Sequence, residues 1–143
     1  MDEPQELNPL ETNEKTSDFH MEEKIYEMLI YANGFLDKFP RIERYCLAQD
    51  IRKQIYLIYR LVIKLENKHY KKTTLNDLDD ELDLLRRMIR MAADKNLHKG
   101  MAPCISTKNY HVMSGYMTEI GKMIGGYFNS LNPEKTKKNQ GRR

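Results

Sequence analysis

From Arg41 to Lys72 the chain holds no proline and no glycine, so nothing in that stretch interrupts a helix. Other absences narrow the class. No apolar run approaches the roughly 20 residues of a membrane span. The two cysteines, Cys46 and Cys104, make neither a metal-ligand nor a redox spacing, so a disulfide framework is not expected and a reducing cytoplasm is. The first residues are acidic rather than basic and then apolar, which is not a secretory signal; the expected localisation is cytoplasmic. No stretch alternates apolar and polar residues in the manner of a strand, which leaves an all-α class. There is no Ser-His-Asp set, no His-Glu-x-x-His and no phosphate-cradling glycine loop. The expectation is a non-enzymatic protein with no cofactor and no metal.

What is present is apolar periodicity at spacings of three and four. Ile25, Leu29, Ala32 and Leu36 form one seam, widened by Met28, Phe35 and Phe39. Asp18 is the expected N-cap and Pro40 the break. Ala48, Ile51, Ile55, Ile58, Val62 and Leu65 form a second seam, on one long helix running from Pro40 to about Lys68. Leu47, Leu57, Tyr59, Leu61 and Ile63 put apolar surface beyond that seam, so this helix asks for more than one partner. Lys71 to Thr73 is read as a turn and Thr74 with Asp77 as a cap. Leu75, Leu78, Leu82, Leu85, Ile89 and Ala92 make the third seam. Residues 96–105, with Gly100 and Pro103, form a loop. Ser106 caps a fourth helix with Met113, Met117, Ile120, Ile124, Tyr127 and Leu131 in its seam. Four such helices in 143 residues predict one domain, an antiparallel four-helix bundle over residues 21–131. Residues 1–20 are expected to be a disordered acidic arm and 132–143 a disordered basic tail.

Three constellations reduce to ordinary structure. Glu66-x-x-His69 has the spacing of a di-iron ligand pair, but no second Glu-x-x-His accompanies it, so an exposed helix end is the better reading. Cys46 lies within an amphipathic helix and reads as a small filler. Gly121, Gly125 and Gly126 each cost a helix about 1 kcal/mol against alanine, which close approach of a neighbouring helix would offset.

The net charge of +3 conceals an asymmetry. Residues 1–24 carry eight acids against two lysines, whereas residues 25–131 carry seventeen bases against twelve acids. A basic folded part favours an anionic partner. Lys53, Arg60 and Lys64 fall broadly on one side of the second helix, with Tyr56 close by. Arg86, Arg87 and Arg90 cluster on the third, and Arg41 and Arg44 stand at the start of the second. Such residues can neutralise phosphates and tyrosine can stack on unpaired bases; for any single residue a solvated face explains the charge as well.

Several segments in order resemble a known family: Lys38-Phe39-Pro40-Arg41-Ile42-Glu43-Arg44 with Asp50-Ile51-Arg52; Glu81 to Ala92; and Asn109-Tyr110-His111 leading to Glu119-Ile120-Gly121-Lys122-Met123-Ile124-Gly125-Gly126-Tyr127. Together they look like the accessory protein (Avd) of diversity-generating retroelements, akin to the four-helix proteins encoded in ribosomal RNA intervening sequences. The resemblance covers roughly residues 22–131. It implies a four-helix bundle that assembles into a pentameric basic barrel. It also implies binding to the element's reverse transcriptase and template RNA, in support of mutagenic cDNA synthesis and retrohoming, with the chemistry left to the polymerase. Arg41, Arg44, Arg52, Arg86, Arg87 and Arg90 then become candidate contacts to RNA or polymerase, and Gly121 and Gly125 packing positions. A structural RNA-associated bundle of the intervening-sequence type and a generic interaction module are the alternatives. The acidic arm, the long loop from Lys99 to Thr107 and Tyr127 in place of an expected tryptophan depart from the family pattern.

Overall fold

The computed structural model describes residues 17–67 and 71–131. It contains five helices: α1 (Ser17–Leu36), α2 (Arg41–Arg44), α3 (Leu47–Asn67), α4 (Lys71–Ala93) and α5 (Thr107–Leu131). Helix α2 is a single turn on α3; the other four pack in the cyclic order α1, α3, α4, α5 and back to α1. Side-chain pairs fix the directions. Arg52 on α3 meets Asp37 just past the end of α1 at 3.0 Å, while Tyr59 further along α3 meets Glu22 near the start of α1 at 3.0 Å. Helices α1 and α3 are therefore antiparallel. Tyr31 to Asn109 and Lys24 to Glu119 orient α1 against α5 in the same sense, and Lys71 to Tyr127 with Arg86 to Met117 does so for α4 and α5. The result is the antiparallel four-helix arrangement that the seams predict.

The four seams meet in one core. Ile25, Ala32 and Leu36 of α1, all six seam residues of α3 and of α4, and Met113, Met117, Ile120 and Ile124 of α5 are buried. Burying a Leu or Ile side chain contributes about 1.5–3 kcal/mol, so the core dominates the favourable side of folding. Gln54 is the buried polar exception on α3, and its amide donates to the Glu81 carbonyl and carboxylate of α4 at 2.9 and 2.6 Å. No buried donor is thus left without a partner there.

Several boundaries differ from the sequence reading. α1 begins at Ser17, so Asp18 lies inside the first turn rather than capping it, and residues 17–20 belong to the helix rather than the arm. The expected continuous helix from Pro40 breaks at Tyr45 and Cys46. Phe39 and Leu47 are both buried, whereas α2 between them buries nothing. The chain bends to bring both anchors into the core, and Tyr45 takes φ −104°, ψ 6° at the corner. Lys71 to Thr74 are helical and Thr74 is buried, so Thr74 is a packed residue and not a cap. Ser106 caps as expected, its Oγ accepting from the Asn109 amide at 3.1 Å. Tyr59 and Leu61 pack against the core, which leaves α3 less spare apolar surface than its sequence suggests. Among the described residues no helix is long and apolar enough to cross a membrane. The acidic arm expected over residues 1–16, His69 and the basic tail expected over residues 132–143 lie outside the described residues.

Candidate nucleic-acid interface

The nine cations singled out by the sequence separate into those the fold employs and those it leaves outward. Arg52 is the most engaged. Its side chain is only 17% exposed, and it donates to Asn33 Oδ1 at 3.0 Å, Gln49 Oε1 at 3.3 Å and Asp37 Oδ1 at 3.0 Å. Arg44 is half-buried and its Nε donates to the Phe39 carbonyl at 3.2 Å, helping to hold the bend before α3. Arg86 lies half-buried across α5, its Nη2 3.5 Å from the Met117 carbonyl. Arg87 is exposed and pairs with Asp83 one turn earlier at 3.1 Å, a surface pair worth at most a few tenths of a kcal/mol.

Arg41, Lys53, Arg60, Lys64 and Arg90 are exposed, and no hydrogen bond or ion pair among the described residues engages them. Lys53, Arg60 and Lys64 lie on the side of α3 opposite its buried seam, with Tyr56 a turn from both Lys53 and Arg60 and 42% exposed. Lys64 lies eleven residues beyond Lys53, about 16 Å along the helix. Arg86 and Arg90 lie on the other flank of α4, toward α5. Because α3 and α5 are diagonal in the bundle, these are two separate basic regions rather than one patch.

The glycines also separate. A Cβ on Gly121 would stand 2.7 Å from Arg86 Nη2 and 3.7 Å from Leu82. The missing side chain is what lets the guanidinium lie over α5, so the approaching group is a side chain and not a helix backbone. Gly125 and Gly126 are exposed with nothing within 4 Å of such a Cβ; among the described residues no helix closes on them, and the packing role expected for them is not seen there.

The loop between α4 and α5 is pinned from two sides. Ile105 is buried and its amide donates to the Ala92 carbonyl at 3.3 Å. His98 Nε2 meets Glu43 Oε2 of α2 at 2.9 Å. Burial pushes the Cys104 thiol up, and the nearby Glu43 carboxylate adds to the effect, which is the reverse of what a nucleophilic cysteine needs. Cys46 is exposed rather than the apolar filler expected. Glu66 is exposed at the end of α3.

So held, the loop walls a cleft of about 630 Å³ against α4 and α5, with Arg90, Asp94, Pro103, Ile105 and Tyr110 among its lining. A smaller recess of about 110 Å³ is lined by Arg86, Arg90, Tyr110 and Ser114; Arg90 and Tyr110 line both. The sequence offers no reason to single out Tyr110 beyond its place in the Asn109-Tyr110-His111 segment. Its position follows from the Tyr31 hydroxyl, which donates to Asn109 Oδ1 at 2.9 Å and ties the start of α5 to α1. Outward cations beside an aromatic ring suit a phosphate chain with unpaired bases.

No match was found among the curated proteins or among the solved structures. The model of the bAvd-like family matches residues 19–131, the helical unit from α1 to α5 but for the first two residues of α1. On that match the chain belongs to the bAvd-like family, accessory proteins of diversity-generating retroelements.

Proposed function

We propose that the protein is a non-catalytic subunit that binds the reverse transcriptase of its element and the template RNA, and so supports mutagenic cDNA synthesis and retrohoming. The observation that carries this reading is the family match over residues 19–131. The cytoplasm is its place of action. Arg41, Lys53, Arg60, Lys64, Arg87 and Arg90 are the contacts to RNA or polymerase. Arg44, Arg52 and Arg86, engaged within the fold, act by shaping the surface that carries the others.

The working form is a homo-oligomer, taken as a pentameric ring. Ile30, Ile42 and Tyr45 are 57%, 57% and 73% exposed, with Leu84 and Met91 also open. These residues stand on α1, on the α2 bend and on α4. Apolar surface on two or more different faces of one chain suits head-to-tail association, which closes into rings, better than a twofold dimer.

Two measurements test this. Purified protein mixed with the polymerase should co-elute with it and with template RNA, and polymerase without the subunit should yield little cDNA. Light scattering should give a multiple of 17.0 kDa near five. A monomer at micromolar concentration removes the ring, and failure to bind polymerase or RNA removes the proposal.

A further inference from the structure

The cleft between α4, α5 and the intervening loop has a lining that points to one class of ligand. At about 630 Å³ it falls within the 300–1,000 Å³ typical of small-molecule sites. Pro103, Ile105 and Ala102 supply an apolar wall, Tyr110 an aromatic ring, and Arg90 a cation engaged in no hydrogen bond or ion pair among the described residues. Asp94 stands in the same lining. One of its oxygens, Oδ1, accepts from the Asn96 amide at 2.8 Å; no hydrogen bond among the described residues engages the other. A carboxylate beside the arginine disfavours a ligand that is anionic throughout. It suits one that brings negative charge to Arg90 and hydrogen-bond donors to Asp94.

A nucleotide does both. Its phosphate is the anion, its base carries N–H groups on the edge used for pairing, and its flat face fits a tyrosine ring. We infer that this cleft takes a single unpaired nucleotide of a bound RNA strand. The base lies against Tyr110 and the apolar wall, the phosphate is at Arg90, and Asp94 accepts from the base edge. This deepens the RNA-binding reading above and rests on it. A paired base would not enter, because its donors and its faces are already occupied. The site therefore favours single strands over duplex of the same sequence.

The test uses the full chain and a 20-nucleotide single-stranded RNA carrying 4-thiouridine. Irradiation followed by mass spectrometry should place a crosslink within residues 103–110. Tyr110→Ala should weaken binding roughly five- to a hundredfold, as loss of one stacked base does, and Tyr110→Phe should restore it. Should Tyr110→Ala disturb packing, Ala102→Trp serves instead. Ala102 is exposed, so a bulky residue there fills the cleft without entering the core, and it should remove the crosslink while leaving helix content unchanged. RNA that binds with crosslinks only at α3, and with affinity indifferent to Ala102→Trp and Arg90→Ala, overturns the cleft and leaves the general reading standing. Absence of RNA binding by the unmodified chain overturns both. Cleft variants that weaken polymerase binding while RNA affinity holds would assign the cleft to a protein segment and overturn the nucleotide.

Discussion

Arg52 and Lys53 are adjacent in the chain and serve opposite ends. Arg52 sits in the groove between α1 and α3, where Asn33, Asp37 and Gln49 take its donors. Lys53 is turned a further hundred degrees or so around the helix, onto the outer face with Arg60 and Lys64, and meets no acid among the described residues. Equal charge in the sequence thus divides into charge that the fold consumes and charge that it displays. The groove is acidic on its α1 side, so its cation is neutralised. On the outer face of α3 no acid among the described residues comes within ion-pair distance of Lys53, Arg60 or Lys64, and three cations within about 16 Å are left to solvent ions or to a partner. Release of those ions is what makes binding to a phosphate chain favourable and salt-sensitive.

The largest expected effect tests the displayed half. Lys53→Glu with Arg60→Glu and Lys64→Glu should lower affinity for single-stranded RNA on the order of a hundredfold at low salt, measured by fluorescence anisotropy. The melting temperature should move little, since exposed substitutions rarely exceed about 0.5 kcal/mol. Affinity that survives this triple reversal would break the comparison. Arg52→Ala should do the converse. Its hydrogen bonds to the neutral amides of Asn33 and Gln49, in a groove partly open to solvent, are worth about 1 kcal/mol each, and the pair with Asp37, itself 74% exposed, adds little. A loss of about 1–2 kcal/mol by chemical denaturation is expected, with RNA affinity unchanged.

A third, smaller effect concerns Arg86. Gly121→Ala alone must displace the guanidinium now 2.7 Å from the added methyl; because that group is the free end of a flexible side chain, the helix gain of about 1 kcal/mol from replacing glycine should be only partly offset. In an Arg86→Ala background the full gain should appear, and a double-mutant cycle reads the difference. Equal gains in both backgrounds would mean that the close approach costs nothing. The smallest effect is at Tyr59. Burial, and then the hydrogen bond its hydroxyl donates to the Glu22 carboxylate, push its ionisation up to about 12 from 10.0. A group whose folded pKa is raised gives stability that is whole below the unfolded value and is lost as pH rises through the folded one. Wild type should therefore lose more stability between pH 10 and pH 12 than Tyr59→Phe, and denaturation curves of the two should converge at the top of that range.

Periodicity made the core legible. Every seam residue of α3 and α4 named from spacing is buried, because one buried face per helix leaves a strong repeat in the sequence. The bend at Tyr45 was not legible. It follows from the demand that Phe39 and Leu47 both reach the core, a tertiary condition that no proline or glycine marks. Sequence could say that Lys53, Arg60 and Lys64 share a side, but not that Asp37, fifteen residues from Arg52, would be folded back to neutralise it. Tyr110 was missed for a related reason: its place in the cleft depends on where the loop of residues 94–106 is pinned, and that depends on Glu43 on another element.

The most direct measurement is the salt dependence of RNA binding by wild type and by Lys53→Ala with Arg60→Ala and Lys64→Ala. If these three cations each neutralise a phosphate, the slope of log affinity against log salt should become shallower by about 2, at roughly 0.7 per contact on a single strand, while Arg52→Ala keeps the wild-type slope. An unchanged slope in the triple variant, or a shallower one in Arg52→Ala, would contradict the division between consumed and displayed charge.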